Sequence, residues 1–309
     1  MRRIIYLSFC LLILIAAGVY LYIRLNYGKN TLPPQYYQNH KISLSAAKFS
    51  HVVIVMEENK PQSEVIGNQS APYINQLASQ YALDTNYYAV TNPSLPNYLA
   101  LTSGTTAGIN NDCNPPGGSC VANVSNIADR LERAGLSWKE YAESMPTACY
   151  GLNSSNYAVK HNPFMYYPDI TGDTKLCQSH VVPFTKLSSD LKTAQSFPVY
   201  AFITPNLCDD MHDCSVSQGD SWLAQLVPRI LASPAFTTEK SLLVITWDEG
   251  DLSNNNVPVI FAGPAAKKHY TSKNYFSHYS LLHTIENNWG LAPLTKNDKS
   301  APLMTDMLR

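Results

Sequence analysis

Four continuous apolar runs, separated by segments with helical spacing, constrain the fold of this chain more than any other feature. The runs are residues 51–56, 197–203, 241–246 and 257–262. Strands that are apolar along their whole length are typical of a parallel sheet buried under helices. Helical spacing is found in residues 71–81, 95–103, 125–134, 220–231 and 277–289. The alternation predicts an α/β domain whose central sheet is mainly parallel and has helices on both faces.

Two further segments of this domain carry weaker signals. Residues 84–90 can form another strand, whereas residues 105–185 are rich in Gly, Pro, Asn and Tyr and are expected to be irregular insertions over one sheet edge. One domain over residues 49–309 is the simplest organisation. A hydrophobic fraction of 45% argues against a disordered chain, and a charged fraction of 15% argues against several membrane spans. No basic tract is present, so nucleic acid is not an expected partner.

The first residues form a candidate membrane segment. Residues 4–23 are an uncharged run of 20 residues, long enough to cross a bilayer as a helix, and Arg2 and Arg3 precede it. We expect a cytoplasmic start at residues 1–3, a transmembrane signal anchor at 4–23 and a polar stalk at 24–48. A cleaved signal peptide is the alternative interpretation.

The cysteines indicate the compartment. Six of the seven lie after the apolar segment, and an even number there favours disulfides and an oxidising environment. Short spacings favour two pairs and leave a third, which gives Cys113–Cys120, Cys208–Cys214 and Cys149–Cys177. Reduced, buried cysteines are the alternative. The prediction is a membrane-anchored domain on the extracytoplasmic side, either extracellular or periplasmic.

Polar side chains follow four of the predicted strands. They lie in residues 57–59, 91–98, 204–214 and 247–250. In open parallel sheets, ligands bind beyond the carboxyl ends of the strands. Ordinary turn chemistry would explain any one of these segments, because Asp, Asn and Gly favour turns. Four polar strand ends at one sheet edge predict a functional site.

The residue types at this edge point to a cation and a nucleophile. Glu58, Asn59, Asp248 and Glu249 supply hard oxygen ligands, which suit a divalent cation such as Mg²⁺, Ca²⁺ or Mn²⁺. Ser94 precedes a predicted short helix, whose N-terminal N–H groups favour an anion. Contact with a metal would lower the pKa of the Ser94 hydroxyl and make it a nucleophile. An ordinary helix cap is the alternative for this serine.

Five motifs occur in a fixed order along the chain. They are HVVIVMEEN at 51–59, NPSLPNYLALTSG at 92–104, TPNLCDDMHDC at 204–214, WDEG at 247–250 and HYSLLHTIE at 278–286. Together they resemble the phosphoesterase family of bacterial acid phosphatases and phospholipases C, within the alkaline phosphatase-like superfamily. The resemblance spans about residues 50–290 and implies an alkaline phosphatase-like fold.

The resemblance also implies a metal centre and a nucleophile. Glu58 and Asn59 match one metal-binding pair, and Asp248 and Glu249 match the second. Ser94 matches the serine that becomes transiently phosphorylated and that also contacts the metal. The implied cofactor is therefore a divalent cation, and the implied substrate is a phosphate ester.

Further positions match the family's substrate pocket. Asn97 matches an amide that holds the phosphoryl oxygens. His212 and His278 match catalytic histidines near the phosphate or the leaving group. Asp210 is expected to support substrate binding, with Asp209 as the alternative carboxylate.

Three residues depart from the patterns of relatives. Asn92 and Lys60 stand where many members of the family have histidine, so fewer histidines are expected in the pocket. Tyr98 stands where a sulfatase of the superfamily would have arginine, which argues against a sulfatase. The histidines without an expected catalytic role are His40, His51, His161, His180, His269 and His283.

Three functions are consistent with these observations. The first is a metal-dependent acid phosphatase-like enzyme that hydrolyses phosphate monoesters through a phosphoserine on Ser94. The second is a phospholipase C or phosphodiesterase on the same scaffold, although phospholipases C of the family are typically much longer. The third is a non-catalytic surface binding protein, against which the intact set of nucleophile and ligand residues argues.

Overall fold

The computed structural model describes residues 48–309. Its strands are β1 Val52–Glu57, β2 Ala82–Asp84, β3 Tyr87–Tyr88, β4 Trp138–Ala142, β5 Val181–Pro183, β6 Tyr200–Thr204, β7 Leu242–Trp247, β8 Val259–Ala262, β9 Tyr270–Ser272 and β10 Phe276–Ser277. Eight of these form one sheet in the order β5-β4-β6-β1-β7-β8-β2-β9. The remaining two, β3 and β10, pair in parallel as a small separate sheet.

Strand β1 lies inside the large sheet between β6 and β7, and it is parallel to both. Strands β4 and β5 continue the parallel arrangement beyond β6. Within residues 48–309, β8 alone runs in the opposite direction to the other strands of this sheet. Every residue of β1 and β7 is buried, so both faces of the sheet centre are covered. This burial explains the uninterrupted apolar runs, and the predicted mainly parallel α/β sheet is confirmed.

Residues 48–309 also form eleven α-helices. They are α1 Gln62–Val65, α2 Pro72–Gln80, α3 Ser94–Ser103, α4 Ile127–Ala134, α5 Pro168–Thr171, α6 Thr174–His180, α7 Leu187–Asp190, α8 Val216–Leu231, α9 Pro234–Thr237, α10 His278–Asn288 and α11 Lys296–Ser300. Short 3₁₀ turns occupy Val159–His161, Pro163–Tyr166, Phe184–Lys186 and Thr305–Met307. Helix α3 packs against α10, and α2 packs against α8.

Two predicted segments differ in the structure. Residues 105–185, expected to be irregular, contribute β4 and β5, and β4 lies between β5 and β6. The pair Lys139–Glu140 interrupts the apolar pattern of β4 and hides the strand from a hydrophobicity criterion. The strand predicted at 84–90 is divided, because the Asp84 carboxylate accepts a hydrogen bond from the Asn86 N–H at 2.6 Å and turns the chain.

Two helices begin at other residues than expected. Asn126, and not Ser125, caps α4, because its side-chain oxygen accepts a hydrogen bond from the Asp129 N–H at 3.2 Å. Helix α4 ends as predicted at Gly135, whose φ of 68° lies in the left-handed region. Helix α8 begins at Val216, earlier than the predicted start at Asp220.

The three predicted disulfides are present in the described part of the chain, at Cys113–Cys120, Cys149–Cys177 and Cys208–Cys214. The predicted cytoplasmic start, the transmembrane segment and all but the last residue of the predicted stalk lie outside the described residues. Over residues 48–309, none of the helices combines the length and the apolar character that crossing a bilayer requires.

Candidate active site

The carboxyl ends of three adjacent strands bring the predicted ligands together. The end of β1 is hydrogen-bonded to the segments that follow β6 and β7. The Glu58 N–H donates to the Asp210 main-chain oxygen at 2.8 Å, and the Asp248 N–H donates to the Glu57 main-chain oxygen at 3.0 Å. The Asn59 N–H donates to Asp248 Oδ1 at 3.1 Å. Asn59 has a φ of 44°, so the chain reverses sharply at this residue.

Ser94 is the first residue of α3 and points into this cluster. Its Oγ donates to Glu58 Oε2 at 3.0 Å and lies 3.4 Å from Asn59 Oδ1. The side chain is 1% exposed. No side-chain cap of α3 by Ser94 is present, since the N-cap position is Pro93. The hydroxyl is therefore directed at the strand-end ligands and not at its own helix.

The carboxylates of the cluster are buried and close to one another. Burial, with Asp248 and Asp210 nearby, raises the pKa of Glu58 well above its usual value. Burial likewise raises the pKa of Asp248 to about 6. The pKa of Glu249 is raised to about 8 by burial and by the charge of Asp248. Asp248 Oδ2 is buried and has no hydrogen-bond partner. Several buried carboxylates with an unpartnered oxygen fit a bound cation, which would offset their mutual repulsion.

Glu249 lies at the wall of a cavity of about 460 Å³. Its Oε2 accepts a hydrogen bond from Asn92 Nδ2 at 2.7 Å. The cavity lining also includes Asn59 and Pro93 next to Ser94, and Leu252 on the outer side. The side chain of Leu252 is 93% exposed, so the cavity opens to solvent. The cavity therefore reaches two residues that adjoin Ser94, namely Asn59 and Pro93.

His161, for which no role was predicted, lies in the site. It is 1% exposed, with Nε2 at 3.3 Å from Glu58 Oε1 and Nδ1 at 3.3 Å from Asp210 Oδ2. Its ring stacks on Tyr98, with the ring centroids 5.5 Å apart. The Tyr98 hydroxyl in turn donates to Glu58 Oε1. These contacts fix one oxygen of Glu58 and leave the other facing Ser94.

His212 is held at the edge of the site by a short disulfide loop. Its Nδ1 lies 2.6 Å from Asp213 Oδ1, and its N–H donates to Asp210 Oδ1 at 2.7 Å. The Nε2 atom lies 3.5 Å from Lys160 Nζ. Asp210 is fully buried, and burial raises its pKa to about 8. The loop thus directs His212 Nε2 toward the site, and the hydrogen bond to Asp210 holds the main chain of the loop at His212.

Two groups of side chains could hold a cation. The predicted ligands cluster at Ser94, and Glu58, His161 and His212 also offer ligand atoms that all lie within 4.8 Å of one another. The ammonium group of Lys160 beside His212 Nε2 opposes a cation in the second group, because like charges repel strongly at this distance. The first group consists of oxygen donors, and its Asp248 Oδ2 has no hydrogen-bond partner.

His278 differs from its expected catalytic role. It is fully buried, its Nε2 lies 2.6 Å from the Asp248 main-chain oxygen, and its Nδ1 lies 2.9 Å from the Tyr87 hydroxyl. Burial lowers the pKa of His278 to about 4. Both ring nitrogens are occupied, so His278 supports the strand end that carries Asp248 and does not face a leaving group.

Asn97 also differs from its expected role in substrate binding. Its Oδ1 accepts from the N–H groups of Val90 and Thr91 at 2.9 and 3.1 Å. Its Nδ2 donates to the main-chain oxygens of Thr91 and Pro93 at 2.8 and 3.2 Å. The residue is fully buried. Asn97 therefore holds the loop that leads to Ser94, and its amide has no free donor for substrate.

The residues that sequence reasoning missed come from the segment expected to be irregular. Asp112, Lys160 and His161 all lie within residues 105–185. One signal was available in the sequence: the polar residues 160–162 directly precede the run 163–167, which is rich in aromatic residues. Because such a run is expected to be buried, the polar side chains next to it are candidates for contacts inside the protein.

Solved structures resemble the fold at low sequence identity. A protein of the alkaline phosphatase superfamily from Vibrio parahaemolyticus aligns with a TM-score of 0.59 and 10% identity, over 88% of this chain and 80% of that one. A sulfatase from Pseudoalteromonas sp. aligns with a TM-score of 0.55 and 9% identity, over 86% of this chain and 74% of that one. The protein has an alkaline phosphatase-like α/β fold.

Sequence relatives are closer. Residues 67–292 match the model of the phosphoesterase family, a range that includes Ser94 and Asp248 but begins after Glu58. The chain is 39% identical over 266 residues to a phosphatidylinositol-3-phosphatase of Mycobacterium tuberculosis, covering 84% of this chain and 83% of that protein. It is 35% identical over 242 residues to a phosphate-repressible acid phosphatase of Penicillium chrysogenum, covering 75% of this chain and 57% of that protein.

These matches define a phosphoric ester hydrolase, with a serine nucleophile candidate among buried acidic residues. The chain belongs to the phosphoesterase family. It spans a little over half the length of the fungal acid phosphatase just described.

Proposed function

We propose that the protein hydrolyses phosphate monoesters in a reaction that depends on a divalent cation and passes through a phosphoserine on Ser94. The observation that carries the proposal is the Ser94 hydroxyl, which lies 3.0 Å from Glu58 Oε2 within a cluster of buried carboxylates. A serine hydroxyl needs activation to attack phosphorus, and such a cluster is the setting in which a cation provides it.

The cation would be held by Glu58, Asn59, Ser94, Asp248 and Glu249. All are oxygen donors, which suits Mg²⁺, Ca²⁺ or Mn²⁺. When bound, the cation would lower the pKa of the serine hydroxyl and offset the negative charge of the phosphoryl oxygens.

The chain's own side chains account for the remaining steps. With its proton already released to water, Ser94 Oγ forms a bond to phosphorus as the bond to the leaving oxygen breaks, and the phosphoryl group moves to the serine. His212 Nε2 donates a proton to the leaving oxygen, since Asp213 holds the other ring nitrogen. Water then attacks the phosphoserine, and the same nitrogen takes up the proton of that water. Phosphate and free Ser94 are the products.

The relatives support a monoester substrate. The protein from Mycobacterium tuberculosis is named for removing a phosphate from a phosphatidylinositol, and the fungal relatives are named acid phosphatases. Both names describe the release of phosphate from a monoester. We extend this substrate class to the present chain on the basis of 39% and 35% identity.

We also propose that the domain works on the outer side of a membrane, anchored by residues 4–23. The three disulfides of the described chain support an oxidising compartment. The uncharged run of 20 residues supports the anchor. The location of the domain is tested by fusing reporter enzymes to residue 309, each of which is active in one compartment only. Activity of the cytoplasmic reporter would contradict an extracytoplasmic domain.

The reaction is tested with the full chain, produced under oxidising conditions. We expect p-nitrophenyl phosphate to be hydrolysed faster than bis-p-nitrophenyl phosphate, with activity lost in EDTA and restored by a divalent cation. Ser94→Ala should reduce kcat by at least about a thousandfold. Ser79→Ala, an exposed serine on α2, is the control. Preferential hydrolysis of the diester would favour a phosphodiesterase or phospholipase C, and no hydrolysis of either ester would favour a binding protein.

A further inference from the structure

Lys160 is a charged side chain at the site to which neither the motifs nor the proposed reaction assigns a role. Its Nζ donates to Asp112 Oδ2 at 2.7 Å and lies 3.5 Å from His212 Nε2. The other oxygen of Asp112 accepts from the Leu95 N–H at 2.9 Å. Leu95 follows Ser94 directly, so one carboxylate separates the ammonium group from the start of the nucleophile helix.

The charged neighbours of Lys160 belong to the cluster around Ser94. Glu58 and Asp248 interact electrostatically with this ammonium group. The side chain is 17% exposed, so water screens its charge only partly. The next residue, His161, contacts Glu58, the hydrogen-bond partner of Ser94. The ammonium group thus lies beside His212 and within electrostatic range of the carboxylates around Ser94.

The ammonium group retains capacity for another acceptor. A lysine has three N–H donors, and Asp112 uses one of them. The contact with His212 uses at most a second, and only if Nε2 is unprotonated. When His212 carries a proton for the leaving group, that contact becomes repulsive and an anion between the two groups is favoured.

We propose that Lys160 contacts the phosphoryl oxygens of the substrate and makes the site selective for the doubly charged monoester over the singly charged diester. This inference rests on the proposed function. Asp112 is a positioning residue, because it fixes Lys160 Nζ relative to the first turn of α3. A phosphomonoester carries a charge of about −1.5 to −2 at pH 7. A diester carries one negative charge, so the fixed ammonium group favours the monoester.

The test compares two esters with the same good leaving group. p-Nitrophenol leaves without help from an acid, so the comparison does not depend on His212. For Lys160→Met we expect kcat/KM to fall about a hundredfold with p-nitrophenyl phosphate but only about threefold with bis-p-nitrophenyl phosphate. Inorganic phosphate should inhibit the variant about tenfold less well than the wild type. Lys160→Arg retains the charge and should retain most of the monoester preference.

The matched control is Lys139→Met. Lys139 also pairs with a carboxylate, Asp190, at 2.6 Å, but it lies on β4 away from the strand-end cluster. The monoester-to-diester ratio of this control should equal that of the wild type. The proposal would be overturned if Lys160→Met lowered kcat/KM equally for both esters, which would leave the monoester-to-diester ratio unchanged.

A binding measurement separates this inference from the proposed function. If the wild type hydrolyses neither ester, the proposed function fails, and Lys160 is judged by inorganic phosphate alone. Phosphate should raise the Tm of the cation-loaded wild type and should raise that of Lys160→Met much less. Equal increases in the two proteins would reject a role of Lys160 in binding phosphoryl oxygens.

Discussion

His278 Nε2 lies 2.6 Å from the main-chain oxygen of Asp248, beneath the strand end that carries two of the candidate ligands. The Tyr87 hydroxyl occupies the other ring nitrogen at 2.9 Å. A carbonyl oxygen only accepts, so Nε2 carries the proton and Nδ1 accepts from the tyrosine. Burial lowers the pKa of His278 to about 4, so the ring is neutral near pH 7. A neutral ring with both nitrogens occupied positions Asp248 and does not protonate a leaving group.

Substitution of His278 should therefore weaken cation binding more than the chemical step. For His278→Leu we expect the cation concentration that gives half-maximal activity to rise about tenfold, because a support of the ligand-bearing turn is lost. Tyr87→Phe should have a smaller effect in the same direction. The measurement is activity against cation concentration. If kcat at saturating cation falls, and falls more with poorer leaving groups, His278 acts as the acid that protonates the leaving group.

His212 should show the opposite behaviour, because its Nε2 faces the site. For His212→Asn we expect kcat/KM, which reports the reaction only as far as phosphorylation of Ser94, to fall about a hundredfold with an alkyl phosphate and less than about fivefold with p-nitrophenyl phosphate. The alkyl leaving group needs a proton and the nitrophenolate does not. Asp213→Asn, which alters only the orientation of the ring, should show the same pattern more weakly. Equal losses with both substrates would contradict proton donation by His212.

Asn97 should act on stability more than on substrate affinity. Asn97→Ala removes four hydrogen bonds to the loop before Ser94, whose main-chain groups are partly buried. We expect the free energy of unfolding to fall by about 2–3 kcal/mol in urea. Activity measured well below the Tm should show a lower kcat, whereas KM should change by less than about threefold. Undiminished stability with a tenfold higher KM would instead support direct substrate contact.

Two of the three disulfides of the described chain should have different effects, one mainly on catalysis and the other mainly on stability. The Cys208–Cys214 loop carries Asp210 and His212, so replacing both of its cysteines by serine should lower kcat about tenfold and stability by about 2 kcal/mol. The Cys149–Cys177 bridge closes a longer loop, and its double serine variant should lose about 3–4 kcal/mol with kcat unchanged. Urea unfolding and assays at low temperature distinguish the two. Equal effects of both replacements on kcat would contradict this division.

Glu286 should make stability depend on pH far from the site. Burial and the neighbouring Asp298 raise its pKa to about 10, so the folded protein holds a proton that the unfolded chain releases near pH 4.5. Its stabilising contribution is complete below pH 4.5 and is lost as the pH rises toward 10. Glu286→Gln keeps an acceptor for the Leu294 N–H and removes this titration.

The measurement for Glu286 is the difference in unfolding free energy between variant and wild type across pH. Relative to wild type, Glu286→Gln should gain about 5 kcal/mol between pH 5 and pH 9, at about 1.4 kcal/mol per pH unit. Asp251→Asn, in an exposed loop, serves as a surface control. A constant difference across this range would show that Glu286 ionises normally in the folded protein.

The sheet and the main ligands could be predicted because their signals are local. Strands β1 and β7 are buried on both faces, and this burial requires a continuous apolar sequence that can be recognised without a structure. The parallel direction of the strands then places Glu58 and Asp248 at one edge. Ser94 was identifiable because a proline and a helical pattern surround it. None of these inferences needed a contact between distant residues.

The rest of the site could not be predicted because it depends on contacts between residues far apart in the chain. His161 had no predicted role, yet it touches Glu58 and Asp210 in two other segments. Asn97 and His278 were expected to face the substrate, but Asn97 bonds to main-chain atoms of a neighbouring loop, and His278 bonds to the Asp248 main-chain oxygen and the Tyr87 hydroxyl.

The sequence by itself determined the order of the four apolar strands and the five main helices, and the edge at which the chemistry lies. These follow from apolar periodicity and from chain direction, both of which act over a few residues. The nucleophile candidate followed from its local position before a helix and from the motifs shared with the family. Only the tertiary structure decided which polar groups face the cavity and which support it. It brought Lys160 from the segment 105–185 to the edge beside His212. A side chain's role there depends on which remote donors and acceptors burial brings within about 3 Å, and that distance is set by packing of the whole domain.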